Sequence, residues 1–244
     1  MKLNLISNGN TNAKTIKNEE ETYILYLSPH TLNDYGKNIC PFASKGCIWA
    51  CLNEAGRGIF PNVQLARRRK TNLMLGNPEE FYTLLAEDLN KIDLKAYTES
   101  KHIFIRLNGT SDINFEKQLF RYTGKSFESF DNLRFYDYTK DRRKAMKYIN
   151  YSEFDRYRVT YSRSEKDTDA DIQFLLSYGC NVAVVFSGDL PETYLGFPVI
   201  DGDKSDLRFF DKSGVVVGLK AKGKAKKDNS GFVVQSCKLQ SINQ

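Results

Sequence analysis

Three cysteines stand close together in "NICPFASKGCIWACLNEAGRG" (38–58), as Cys40, Cys47 and Cys51 in the spacing CX6CX3C. Thiolates are ligands for soft metals, and three on one short loop can reach a single iron-sulfur cluster or a zinc ion. A closed zinc site takes four ligands and this loop offers three, which leaves His30, Cys180 and Cys237 as candidates for the fourth. A four-iron cluster held by three cysteines instead leaves one iron open to a substrate or cofactor. The spacing differs from the CXXC pairs of common zinc sites, which favours the cluster. Free cysteine is also among the most buried residue types, so three small core hydrophobes are the competing reading. Pro41, Gly46, Gly56 and Gly58 argue against it, because they suit a tight loop better than a core strand. Trp49, between two of the thiols, is placed to shield a cluster from solvent.

Other stretches carry polar groups that suit a ligand. "RLNGTSDINFE" (106–116) leaves a strand through Asn108, Gly109, Thr110, Ser111 and Asp112 ahead of a helix. Such a loop fits a ribose hydroxyl, an amino group or an anion, and equally an ordinary helix cap. "IDGDKSDLRFFD" (200–211) brings Asp201 and Asp203 near each other, as a magnesium site for phosphodiester chemistry would, although Asp-Gly is foremost a turn signal. Basic side chains concentrate in "ARRRK" (66–70), "KDRRKAMK" (140–147) and "GLKAKGKAKK" (218–227). Arg67, Lys140, Arg163, Lys220 and Lys222 are the candidate contacts to substrate or phosphate, with Asp201 and Asp203 beside them. Phe135, Tyr136, Tyr138, Tyr157 and Tyr161 interleave with the charge and offer stacking surfaces for bases. Neither a Walker loop nor a nucleophile elbow is present, and the two histidines, His30 and His102, do not form a zinc-protease pair.

These residues need a scaffold that gathers them. Runs rich in β-branched and aromatic residues recur at 22–28, 102–108, 133–139, 156–162, 181–187, 197–201 and 214–220, each ending in a polar loop. Helical periodicity separates several of them. Phe81, Leu84, Leu85, Leu89 and Ile92 follow at spacings of three and four behind Pro78, and 62–75 and 167–180 read as further helices. Strand and helix in alternation predict an α/β fold, a single (β/α) barrel or partial barrel of mostly parallel strands with helical crossovers. The candidate residues then fall at the carboxyl ends of strands, where such folds build their sites.

A chain of 244 residues, 41% hydrophobic and 27% charged, suits one globular domain, with residues 1–21 as an irregular N-terminal segment. No apolar run approaches the roughly 18 residues of a membrane span. The N-terminus lacks the pattern of a signal peptide, so a cytoplasmic location is expected, and an odd count of five cysteines argues against a disulfide framework. The formal net charge of +6 is compatible with anionic partners, nucleotide or nucleic acid.

The stretches "CPFASKGCIWACLNEAGRG", "ARRRKTNL", "RLNGTSDI", "IDGDKSDLRF" and "VGLKAKGKA" together resemble the phage family called gene product eighty-eight, from about Leu27 to Phe232. The resemblance implies a viral origin, hence the host cytoplasm, and no stated chemistry. A cysteine triplet just after the first strand also resembles the radical SAM superfamily, whose usual spacing, CX3CX2C, is tighter. That likeness implies a 4Fe-4S cluster on Cys40, Cys47 and Cys51, with S-adenosylmethionine contacted by Asn108 to Asp112. Zinc is the alternative metal. A nucleic-acid-binding protein with a structural metal or none, and a magnesium-dependent nuclease or phosphotransferase, are the competing functions.

Overall fold

A computed structural model describes residues 4–9, 20–149 and 156–236. Parallel strands cannot be joined by tight turns, so each pair of neighbours needs a crossover. Five of the strands that follow one another in the chain also lie side by side in the sheet. β2 (Thr22–Ile24), β3 (Ile103–Arg106), β4 (Leu133–Thr139), β5 (Tyr157–Ser162) and β6 (Val182–Phe186) pair in that order, all parallel. Beyond β6 come β9 (Val216–Lys220) and β8 (Phe197–Asp201), both parallel, and then β7 (Thr193–Tyr194), antiparallel to β8. β1 (Ser7–Asn8) closes the other side antiparallel to β2, and β10 (Val233–Val234) adds in parallel to β6.

All seven expected strands are present. Of the expected barrel or partial barrel, the α/β arrangement of mostly parallel strands is present and a closed barrel is not: among the described residues β1 and β7 end the path and do not pair with each other. Both terminal strands are two residues long and antiparallel to their neighbours, so each edge is too short to template a closing ladder. Residues 4–9, expected within an irregular segment, carry β1, and Leu5 is fully buried with its N–H donated to Asp88 Oδ2 at 2.7 Å. The rest of that segment, 10–19, lies outside the described residues.

The two-residue period of a strand sends alternate side chains to opposite faces. Ile103, Ile105, Leu107, Leu133, Phe135 and Val159 form one face and pack on Phe81, Leu85, Leu89 and Ile92 of α3 (Pro78–Thr98). That helix starts where Asn77 accepts the Glu80 N–H at 3.2 Å, with Pro78 in the first turn. Burial contributes roughly 1.5–3 kcal/mol for each such side chain, so this face dominates the stability of the half-sheet. Phe104 and Tyr136 point the other way and pack on Leu207 and Phe209 of the β8–β9 connection. The same connection places Asp206 Oδ2 2.8 Å from Arg106 Nη1, whose guanidinium lies 4.7 Å from the centroid of the Tyr138 ring.

α2 (Pro61–Gly76), α4 (Phe115–Thr123) and α6 (Asp169–Ser177) complete the longer helices, and α1 (Lys45–Trp49) and α5 (Arg142–Lys147) are single short turns at the carboxyl side of the strands. Glu21, next to β2, ties that strand to its neighbours through Lys95, through Lys101 at 2.7 Å and through Asn8 at 3.0 Å. Burial would raise its carboxyl, but the two ammonium groups and Tyr23 outweigh this and hold it at about 2, below the usual 4.5. The folded state therefore holds this proton less tightly than the unfolded chain. Its stabilisation is fully present above pH 4.5 and is lost as the pH falls toward 2. Glu21→Gln should lower the urea midpoint near neutral pH and flatten its decline across that acid window; an unchanged profile would refute the assignment.

Candidate thiol centre at the carboxyl ends of the strands

The chain leaves β2 into the cysteine loop through His30, which adopts a left-handed φ of 40° uncommon for a residue with a Cβ. This turn aims the His30 N–H at Cys40 Sγ, 3.3 Å away, while Asn38 Oδ1 accepts the Cys40 N–H at 2.8 Å. Cys40 Sγ in turn lies 3.7 Å from the Thr110 carbonyl, which seats the thiol on the loop after β3. Cys47 sits in α1, whose N-terminal cap is Ser44, its Oγ accepting the Cys47 N–H at 3.2 Å. Cys51 follows the Ala50 cap of α1 and opens the 3-10 turn Leu52–Glu54.

Glu165, from the loop after β5, fastens this arrangement. One carboxylate oxygen accepts the Gly46 N–H at 2.8 Å and the other accepts the Ser44 hydroxyl. Gly46 is required there: a Cβ would lie 2.6 Å from both Phe232 Cβ and Ser230 Oγ. Phe232, Val233, Ala221 and Ala225 form the wall behind Cys47 and Ala50.

Burial raises all three thiols, Cys40 to about 12. The His30 N–H opposes the rise at Cys40, the Lys140 ammonium at Cys47, and the Asn53 N–H and Arg67 guanidinium at Cys51. Cys51 and Cys47 add a smaller rise at Cys40, and Cys47 adds one at Cys51. Among the described residues no three His, Cys, Asp or Glu side chains are arranged to hold a metal ion as they stand. Of the candidate fourth ligands, Cys180 is buried in a different core cluster at the start of β6 and bonds Asn181 O. The His30 ring meets Thr31 Oγ1, and Cys237 lies outside the described residues.

The loop after β3 is adjacent to the thiols, with its side chains turned to internal bonds. Asn108 bonds Asp137 through its N–H at 2.8 Å and its side-chain amide at 3.0 Å, and its Oδ1 accepts from Ser111 Oγ and the Ile113 N–H. Thr110 Oγ1 donates to the Leu27 carbonyl, and Gly109 packs where a Cβ would be 2.6 Å from the Tyr26 ring. Asp112 is near Cys40 and Cys47; burial raises its carboxyl, while Thr139 Oγ1 at 2.7 Å and the Lys140 N–H at 2.8 Å hold it. Lys140 reaches inward: its ammonium bonds Ser162 O and Oγ and Arg163 O at 2.9–3.1 Å and lies 5.0 Å from the Phe232 ring centroid.

Arg67 is buried beside the thiols, bonded to Asn53 Oδ1 at 2.6 Å and stacked over Tyr26. Arg163 is spent on the carbonyls of Gly231 and Phe232. The structure therefore gathers Cys40, Cys47, Cys51, Arg67, the Asn108–Asp112 loop and Lys140. The acidic and basic candidates near β8 and β9 bond among themselves, on either side of Ala221, which packs behind Cys47. Asp201 accepts the Asp203 N–H at 2.9 Å as a turn, Asp203 takes Lys222 at 2.7 Å and the Lys220 N–H at 2.8 Å, and Lys220 pairs with Asp189. The expected stacking aromatics are not at the surface: Phe135, Tyr136, Tyr157 and Tyr161 are core side chains and Tyr138 lies under Arg106.

Two clefts, of 480 and 430 Å3, flank Pro41 and Phe42; the first reaches Asp112 and Lys144, the second Lys140 and Ser164. Glu165 was not legible, since nothing in "SRSEKDTD" marks it, whereas the Ser44 cap three residues before Cys47 follows a known spacing. Removing Glu165 leaves the Gly46 and Ser44 donors without their acceptor. Glu165→Ala should cost roughly 1–3 kcal/mol in urea unfolding and speed reaction of Cys47 with an aromatic disulfide reagent; unchanged stability and thiol reactivity would show that the clamp is idle.

No curated protein and no solved structure matches the chain. A family model described as Gene product 88 matches residues 4–236, a span that takes in every strand of the sheet and the whole cysteine loop. The chain belongs to the Gene product 88 family.

Proposed function

We propose that this protein is an iron-sulfur enzyme of radical SAM type, acting on a nucleotide, nucleic acid or other phosphate-bearing substrate. The observation that carries this reading is the placement of Cys40, Cys47 and Cys51 on one loop after the first parallel strand, with Cys40 Sγ accepting the His30 N–H and Cys47 packed against the Phe232 wall. Their donor chemistry fits a cluster better than a closed zinc tetrahedron, because the remaining described cysteine, Cys180, belongs to another part of the core. Loading requires the thiols to reorient, since as neutral groups they do not surround a common ion.

When bound, a four-iron cluster supplies one-electron reducing chemistry to S-adenosylmethionine, the source of the substrate radical in that superfamily. The chain's own residues prepare the place. The His30 N–H and the Asn53 N–H donate to Cys40 and Cys51, which favours their thiolate forms. Lys140 offsets negative charge at Cys47, and Asp112 fixes Lys140 through its backbone. Phe232 and the Ala221–Ala225 turn exclude water from the inner side of the loop.

Metal and sulfide analysis with a visible spectrum, on protein purified without oxygen, tests the reading. About four irons and four sulfides per chain are expected, and Cys47→Ala should lose iron and sulfide together while the far-ultraviolet circular dichroism persists. Stoichiometric zinc would make the loop a structural staple, and protein free of metal after anaerobic iron and sulfide reconstitution would overturn the cluster.

A further inference from the structure

The cysteine loop exposes apolar side chains that the core does not take up. Ile48, Trp49, Leu52, Ile59 and Phe60 are each 39–61% exposed, although Cys47 among them packs inward. Beside them lies a cationic turn. Ala225 is buried against Cys47 and Ala50, a Cβ on Gly223 would touch Ala55 at 3.6 Å, and Lys224 pairs with Glu54. The turn carries Lys222, Lys224, Lys226 and Lys227, all exposed, and the loop adds Lys45 and Arg57. Glu54 and Asp203 are matched by Lys224 and Lys222. Lys45, Arg57, Lys226 and Lys227 have no carboxylate partner among the described residues.

We propose that this surface binds single-stranded nucleic acid, with bases on Trp49 and Phe60 and phosphates on the surrounding lysines and Arg57. Exposed aromatic faces within a cationic rim are what unpaired bases and their backbone require, and a duplex hides the faces that would stack. Protein interfaces deplete lysine around their apolar centres, which disfavours a protein partner. Membrane-surface segments are amphipathic helices, whereas these side chains come from α1 and two 3-10 turns. The inference deepens the proposed function by naming its substrate class, and it rests on that reading for the purpose of the surface, not for its existence.

Trp49 is the sole tryptophan, so its fluorescence reports on this surface alone. Titrating the full chain with fluorescein-labelled oligothymidylate should quench Trp49 and raise anisotropy, with affinity falling as salt rises. Replacing Lys226 and Lys227 together by Ala should weaken binding about tenfold and reduce the log–log salt slope by about 1.4. Phe60→Leu should weaken it roughly five- to a hundredfold. Lys212→Ala, in the loop before β9, should leave it unchanged. Absence of binding at low salt, an unmoved Trp49 signal, equal loss in Lys212→Ala, or preference for duplex DNA or phosphatidylglycerol vesicles would overturn the proposal. Iron and sulfide measured on the same samples separate the two ideas: binding without a cluster sinks only the cluster, and a cluster without binding sinks only this surface.

Discussion

The carboxylate of Asp137 is buried at the junction of three strands, and the geometry of the thiol centre depends on it. Desolvation disfavours its charge, so it needs full pairing. The Asn108 N–H and side-chain amide and the Tyr157 hydroxyl, at 3.1 Å, supply the bonds, and Lys144 and Arg106 supply compensating charge. The effect is to fix where β3 ends. Asn108 then organises the loop that follows, and that loop offers Thr110 O to Cys40 and the Asp112 N–H to Ile39 O. A polar knot inside the scaffold thus sets the position of the nearest thiol through two short links.

Charge is divided by helical geometry in a way that composition conceals. In "ARRRK" the spacing of three turns Arg67 and Lys70 inward and leaves Arg68 and Arg69 in solvent. Burial lowers Lys70 to about 8 and its ammonium bonds the Leu5 carbonyl, so a residue that reads as part of a basic patch anchors the edge of the sheet. Lys140 behaves likewise. A count of cations therefore overstates the surface charge in two of the three basic stretches, and the third, at 218–227, keeps its lysines exposed.

Strands were legible because buried parallel strands carry dense β-branched and aromatic runs, as "HIFIRLN" and "NVAVVFS" do, and α3 because its apolar spacing persists over several turns. Closure was not legible: whether consecutive parallel strands meet again depends on the edges, and β1, β7 and β10 are too short to leave a period. α1 and α5 were invisible for the same reason. The cysteine cluster could be seen in the spacing, and its neighbours Asp112 and Lys140 at strand ends. Its clamp could not, because Glu165 acts across 119 residues of sequence from Gly46 through a single side chain. The aromatic residues of β4 and β5 show the limit of reading chemistry from composition, since the same tyrosines that could stack on bases are the ones a core strand prefers.

The order in which these parts leave the ribosome differs from the order in which they pack. The cysteine loop and the half-sheet β2–β5 are synthesised early, yet the covering for Phe104 and Tyr136 waits for Leu207 and Phe209, and the wall behind Cys47 waits for Phe232. During translation the thiols stand on a nascent chain with no back to their pocket. The centre is thus completed by a segment far along the chain from the loop that bears the thiols, so the inner wall of that loop forms only after the intervening strands have been made.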